Sequence, residues 1–375
     1  MRRPRVRFVA ACLLAGGCAA CGGPGGAATR SPAGGAHRVA DLAHPRAAHT
    51  ATALSDGRIL VAGGFGADEG EVWASTELFD RASGRFRPGP AMLAARQSHT
   101  ATRLRDGRIL IVGGYGPGGR TLASAELFDP ATRRFAATGR MTQPRAGHAA
   151  VLLRDGTVLV VGGEASLSHT LASAEIYDPA TGRFAATGAM SGARASHTAT
   201  VLSDGRVLIA GGHRGRRASL RVLRSAELYD PATGAFAPTG ALRVRRHKHD
   251  AVTLPGGRVL VLAGADERDD LGAYDSAEIY DPRRGAFAPT GALALARYKL
   301  QGTSIALMGD AALVTAGAAR PELFDGRGRR FRALPGSFGA AHLFAAAAPV
   351  GKGALVTGGY TRAGPATADA WLVTP

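Results

Sequence analysis

Short apolar runs separated by Gly, Pro and Asp turns fill this chain, and their order repeats about every fifty residues. The copy from Arg145 to Met190 reads RAGHAAVLLRDGTVLVVGG, a spacer, then SAEIYDPATGRFAATGAM. The copy from Arg194 to Leu242 reads RASHTATVLSDGRVLIAGG, a spacer, then SAELYDPATGAFAPTGAL. Four strands per copy follow from the runs and the turn residues between them. The first follows a histidine, as in His49 to Leu54. Asp56-Gly57 reads as a two-residue type I′ hairpin turn into the second strand, Arg58 to Ala62. The same step recurs at Asp106-Gly107, Asp155-Gly156 and Asp204-Gly205. The third strand is a Glu-Leu-Phe-Asp or Glu-Ile-Tyr-Asp segment. A Pro/Gly turn such as Asp178 to Gly182 leads to the fourth, which opens on Arg183-Phe184. Beyond the N-terminus no segment carries the 3.6-residue apolar period of a helix.

The first glycine of each pair sets the register: Gly63, Gly113, Gly162 and Gly211 lie 50, 49 and 49 residues apart. Ala263-Gly264, Ala316-Gly317 and Gly358-Gly359 extend the series to seven copies, the last three degenerate. A lone four-stranded unit cannot cover both of its faces, whereas seven stacked radially cover one another and hide most edges. The expected fold is therefore all-β, a seven-bladed β-propeller with four antiparallel strands per blade. The last copy ends two residues after Thr367 to Val373 and has no fourth strand. His37 to Leu42 precedes the first Arg46 where a fourth strand belongs, and it is expected to complete blade seven and close the ring.

Gly-Gly after strand two, Tyr/Phe-Asp after a glutamate in strand three, and an aromatic in strand four resemble kelch repeats. The resemblance runs over roughly residues 38 to 375, with Phe86, Phe135, Phe184, Phe236, Phe287 and Phe331 where kelch repeats usually carry Trp. It implies the propeller fold, and a fold of this kind hosts many activities.

The first residues differ from the rest. Met1 to Arg7 is a basic segment, Phe8 to Gly17 a short apolar one, and Ala15-Gly16-Gly17-Cys18 resembles a bacterial lipoprotein cleavage box. Residues 1–21 are read as a lipoprotein-type signal peptide with Cys18 as the lipidated residue and Cys21 as the alternative. A plain secretory leader cut near Ala20 is the other reading. Residues 22–36 are a Gly/Ala/Pro tether and 37–375 the propeller. All three cysteines (Cys12, Cys18, Cys21) precede the tether, so the propeller folds without disulfides in any redox compartment.

Loss of Arg2, Arg3, Arg5 and Arg7 with the leader lowers the formal charge from +17 to +13. Lysine occurs only at positions 248, 299 and 352, beside abundant Arg, Ala and Gly, a bias typical of a GC-rich genome. Export and the lack of a repeated aromatic platform argue against nucleic acid as a partner.

In such a blade the one–two and three–four turns share one face of the disc and the two–three and four–one loops the other. The turn face is monotonous; the loop face varies, as a binding surface on a rigid scaffold does. The candidate binding face comprises His213, Arg214, Arg216, Arg217, Arg245, His247, Asp266 and Glu267. Arg221, Arg224, Arg243, Arg246 and Lys248 add basic charge, and Asp269 and Asp270 acidic charge. Mutual neutralisation across the blade boundary and an anion-binding cleft both fit.

The repeated Arg46, Arg96, Arg145, Arg194, Arg246 and Arg297 enter strand one, and Glu77, Glu126, Glu175, Glu227, Glu278 and Glu322 open strand three at the same end. Two strand spacings, roughly 10 Å, separate them, and the Gly-Gly between leaves room for a buried ion pair in each blade. His49, His99, His148, His197 and His249 are expected in a ring at the channel mouth, each making a structural hydrogen bond, with Leu300 in their place in blade six. They stand too far apart to share one ion at the roughly 2 Å of a metal ligand. His247 with His249 is a weaker alternative. No metal, cofactor or catalytic residue is assigned.

A copper-radical oxidase of the galactose oxidase kind, which shares this type of propeller, is excluded, since its crosslinked cysteine has no counterpart here. The expected function is a lipid-anchored or secreted, monomeric, non-catalytic scaffold binding protein or glycan at the bacterial cell envelope. The alternative is a secreted carbohydrate-active enzyme of the kelch-type sugar mutarotase or epimerase kind, for which Glu71, Glu164, Asp266 and Arg297 lie in suitable loops. Unique Arg and Glu residues converging at the channel mouth would favour the enzyme.

Overall fold

The computed structural model describes residues 34–68, 70–300 and 304–375. The leader, Cys18 and Cys21, and the tether up to Ala33 lie outside the described residues. The rest forms seven four-stranded antiparallel sheets arranged as a ring, each sheet one blade, as in Thr50–Ala53, Ile59–Ala62, Thr76–Asp80 and Arg85–Pro88 of blade one. The first strands are innermost, and each neighbours the first strand of the blades before and after it. Blade seven takes its fourth strand from the start of the chain: Gly35–Arg38 pairs with Ala370–Thr374, Ala36 opposite Val373 and Arg38 opposite Trp371. The closing strand starts at Gly35, two residues ahead of the boundary placed at His37.

The second strands explain why the fold needs a ring. Ile59, Leu60, Val61 and Ala62 are all buried, without the alternation of a one-sided strand. Leu60 and Ala62 pack with Ile109, Ile111 and Phe128 of blade two. Ile59 and Val61 pack with Ala346, Val350 and Leu355 of blade seven. Each sheet thus has a core on both faces, supplied by its neighbours. The outer strands are held by aromatic pairs such as Phe79–Phe86 and Tyr177–Phe184, centroids 4.9 and 4.8 Å apart. That contact accounts for the repeated Phe of strand four.

The Asp-Gly hairpins are not type I′. Leu54 N–H donates to Arg58 O at 2.8 Å and Gly57 N–H to Leu54 O at 3.2 Å, so Ser55 to Gly57 form a three-residue loop. Type I′ requires positive φ at both central residues; here Gly57 has φ 84° while Asp56 keeps a negative one. The Asp56 carboxylate instead accepts the Arg58 N–H at 3.0 Å, an acceptor role that needs no left-handed backbone.

Candidate functional site

Each crossover into a blade is nailed down by its arginine. Arg46 Nη1 donates to Gly63 O (2.8 Å), and Nη2 to Ser75 Oγ (3.2 Å) and Glu77 Oε1 (2.9 Å). The other Glu77 oxygen accepts the N–H of Ala43, at the start of the crossover. Both side chains are almost wholly buried. The arrangement recurs as Arg96–Glu126, Arg145–Glu175, Arg194–Glu227, Arg246–Glu278 and Arg297–Glu322, at 2.6 to 3.0 Å. The first position of the pair is tight, since a Cβ on Gly63 would lie 2.4 Å from Arg96 O, and blades five and six carry nothing larger than alanine there, Ala263 and Ala316. Blade seven departs from the rule. His342 bonds Gly358 O at 3.1 Å and stacks edge-on against Trp371, which holds the register position of the glutamate.

Anchored this way, the crossovers form a closed belt. Ser98 N–H donates to Ala48 O, Gly147 to Ser98, Ser196 to Gly147, Lys248 to Ser196, Leu300 to Lys248, Phe344 to Lys299 and Ala48 to Phe344, all at 2.9 to 3.2 Å. Ala48, Ser98, Gly147, Ser196, Lys248, Lys299 and Phe344 are all left-handed, with φ from 50° to 58°. Below the belt lies a channel cavity of about 220 Å³ lined by Ser98, Ser196, Lys248, Phe344, the histidines 99, 148, 197 and 249, and Asp250.

The histidines clasp one blade to the one before it. Nε2 of His99, His148 and His249 lies 2.9 to 3.1 Å from the hydroxyl of Thr50, Thr100 and Thr198. His49 reaches Thr357 of blade seven at 2.8 Å. His197 has no such partner, because blade three carries Ala149 where blades one, two and four have threonine. Burial pulls these imidazoles far below their ordinary value, His148 to about 3. Asp250 takes the threonine position in blade five and accepts the Ala251 and Ser304 N–H groups at 2.8 and 2.7 Å, spanning to blade six where the histidine is replaced by Leu300. Burial raises its carboxyl to about 6.

Around the mouth stands the residue that follows each Gly-Gly pair, bridged to the crossover of its own blade: Phe65, Tyr115, Glu164, His213, Ala265 and Tyr360. They fall into two walls. On one side Tyr360 lies 6.0 and 6.2 Å from Phe65 and Phe344, ring centre to ring centre. The Lys299 ammonium bonds the Tyr360 hydroxyl and sits 5.0 to 5.9 Å from the rings of Tyr298, Tyr360 and Phe344. On the other side Glu164 accepts from the Tyr115 hydroxyl, from Arg216 at 2.9 and 3.2 Å and from His213 at 3.4 Å. His213 and His247 then face each other Nδ1 to Nδ1 at 3.2 Å. Burial pushes the Glu164 carboxyl up, and the hydrogen bonds from His213, Arg216 and Tyr115 more than reverse it, leaving it at about 2. An ionised Glu164 requires His213 Nε2 to donate, and the contact between His213 and His247 requires one of the two Nδ1 atoms to carry the proton and the other to accept it. Burial, Lys248 and His213 lower His247 to about 2.

The expected basic cleft is largely neutralised within the protein. Arg216 is paired with Glu164, Arg245 with Glu267 at 3.0 Å, Asp266 with Arg268 at 2.7 Å, and Lys248 with Asp269 at 2.7 Å. His213 and His247 are buried, while Arg214 and Arg217 are exposed. The side chain of Asp270 lies outside the described residues. Among the described residues no three His, Cys, Asp or Glu side chains converge as a metal site would need. Glu71, named with Glu164, does not join this cluster; Arg297 is committed to Glu322. Tyr115 and Tyr360 were missed in the sequence although a signal existed, since the position after Gly-Gly differs in almost every copy while its neighbours repeat; Lys299, in the crossover into blade six, carries no such signal.

Comparison with known proteins agrees with this architecture. The Kelch motif family model matches residues 194–238, the copy that builds blade four. No curated protein sequence matches the chain. Among solved structures, that of YjhT superposes with a TM-score of 0.60 at 12% identity, covering 90% of this chain and 97% of that one, a likeness that shows the fold.

Proposed function

We propose that this kelch-repeat β-propeller is an exported, lipid-anchored binding scaffold of the bacterial cell envelope, and that it takes a carbohydrate at the mouth of its central channel. The observation that carries the reading is the pair of unlike walls there. Phe65, Tyr360 and Phe344 offer apolar ring surface; Tyr115, Glu164, Arg216 and His213 offer oriented donors and acceptors. A sugar ring has the same division, with C–H faces and a hydroxyl edge, and sites with few polar groups on an apolar lining fix orientation in this way. The anchor follows from the residues around Cys18 and Cys21.

Convergence of Arg216 with Glu164 from different blades favours the enzyme alternative, a sugar-ring mutarotase or epimerase. Its chemistry weighs the other way. Glu164 is held ionised at about 2 and both its oxygens are engaged, so it neither gives up a proton nor takes one readily near neutral pH. The test is a glycan screen by thermal shift and array, followed by NMR of ring interconversion for each hit. Binding without accelerated interconversion supports the scaffold; faster interconversion with protein than without establishes the enzyme; a screen without hits removes the carbohydrate.

A further inference from the structure

Both ends of the propeller lie on the turn face. Gly35–Arg38 runs toward the crossover that reaches Arg46 on the loop face, so its Gly35 end, opposite Thr374, is at the turn face. The chain that precedes it therefore joins the propeller on the side away from the channel mouth. From Cys18 to Gly34 there are 16 residues, and from the alternative Cys21 13, which even fully extended reach no more than about 58 and 47 Å.

That face is built to be basic. The six three–four turns (80–85, 129–134, 178–183, 230–235, 281–286 and 325–330) hold ten arginines against six aspartates. The aspartates are occupied by the turns themselves, since each carboxylate accepts a backbone N–H of its own turn at 2.8 to 3.0 Å. Arg133, Arg134, Arg283 and Arg284 are all exposed, while Arg327 is paired with Asp310 at 2.6 Å and Arg329 donates to Pro289 O at 3.0 Å. Both faces carry ion pairs, Arg58 with Asp56, Arg108 with Asp106, Arg206 with Asp204 and Arg327 with Asp310 on the turn face and Arg216 with Glu164 and Arg245 with Glu267 on the loop face, and the excess of arginine on the turn face rests on the three–four turns. The exposed leucines of the loops, Leu93, Leu167, Leu271 and Leu295, also lie on that opposite face.

We infer that the turn face docks on an anionic lipid surface, so that the anchored propeller holds its channel mouth away from the membrane. This rests on the anchored reading above. Guanidinium groups suit lipid phosphates, and basic residues within a Debye length, about 8 Å, of an anionic leaflet are drawn to it. The contact is electrostatic and does not insert, and it leaves the aromatic and Glu164 walls facing outward for their ligand.

The test uses the chain from Gly22 to Pro375, without the leader and the lipidated cysteine but with every described residue, in co-sedimentation with vesicles of phosphatidylcholine alone or with about one third phosphatidylglycerol. Binding to the anionic vesicles is expected to exceed that to neutral ones by about tenfold or more at low salt, and to fall by a similar factor as salt rises several-fold. The variant R133S/R134S/R283S/R284S should lose about tenfold in affinity, while R214S/R217S/R221S/R224S on the loop face keeps it. Equal binding to neutral vesicles, loss in the loop-face variant instead, or displacement by an oligonucleotide well below the lipid concentration overturns the inference. Incorporation of labelled palmitate into the full chain, and its loss in Cys18→Ala or Cys21→Ala, tests the anchor separately. Label without vesicle binding removes the docking face alone, and vesicle binding without label removes the anchor alone.

Discussion

Nε2 of His99 lies 3.1 Å from the hydroxyl of Thr50, one blade behind it, and the same clasp joins His148 to Thr100 and His249 to Thr198. The series breaks at His197, whose Nε2 is buried without a partner because Ala149 stands in the threonine position. Ala149→Thr should supply the missing hydroxyl. The position has room: Ala149 faces Val161, and Thr100 already sits opposite Val112 in the same register. Relief of an unsatisfied buried nitrogen is worth about 1 kcal/mol, so the guanidinium midpoint should rise, whereas Thr100→Ala should lower it by a similar amount. A midpoint that drops in Ala149→Thr would show that the clasp does not transfer.

Five buried histidines make the propeller acid-sensitive. His49, His99, His148, His197 and His249 stay neutral in the folded protein well below 6.5, whereas unfolded they take up a proton near that value. Between those limits the unfolded chain binds more protons, so stability is complete above about pH 6.5 and is lost as pH falls. Asp250 acts in the opposite sense. Its folded value of about 6 lies above the ordinary 3.8, so its contribution is full below 3.8 and is lost as pH rises through 6. Asp250→Asn should therefore gain on the parent by about 2 kcal/mol between pH 4 and pH 7, since each pH unit of displacement is worth about 1.4 kcal/mol. Parallel pH profiles of the two proteins in chemical denaturation would refute the assignment.

The arginine–glutamate pairs should be intolerant of half-removal. In Glu126→Ala the Arg96 guanidinium, wholly buried and bonded to Gly113 O and Ser124, keeps its charge but loses its counter-ion. Glu126 also releases the N–H groups of Leu93 and Ala94. Stranding one member of a buried pair costs about 3–5 kcal/mol, and calorimetry should show a corresponding fall. Arg96→Met with Glu126→Leu should recover part of the loss, because no buried charge remains.

How much of this was legible depended on repetition. Arg96 and Glu126 could be paired from sequence because six copies place them at one end of strands one and three, with a glycine or alanine of strand two between them. Ring closure was legible because a fourth strand was missing at one end of the chain and present at the other. The serine that shares the arginine in five blades, as Ser75 does Arg46, gives way to Arg320 in blade six, and its role depends on a bond length that spacing does not reveal. The mouth was hidden for the opposite reason. Tyr115, Glu164, His213 and Tyr360 follow the same glycine pair in different copies, and only the bridge of each to its crossover brings them to one rim. Trp371 in the glutamate position and Asp250 in the threonine position were likewise visible only once register was fixed.

The closing strand gives the last prediction. Removing Gly35 to Leu42 leaves Ala370–Thr374 as an unpaired edge and takes away the Arg38 ion pair with Asp369. It also takes away Leu42, which packs among Ala51, Ile59 and Val350 across the seam between blades seven and one. Loss of a buried leucine alone costs about 2–5 kcal/mol, and the vacated ladder adds unpaired backbone groups, so the truncated chain should melt far below the parent. Because seven blades share one belt of hydrogen bonds, the loss should appear as an earlier single transition. A synthetic peptide spanning residues 34–43 should raise that midpoint in a concentration-dependent way, and a scrambled peptide should not. An unchanged melting curve on truncation would mean that the ring is closed by the belt and not by the strand.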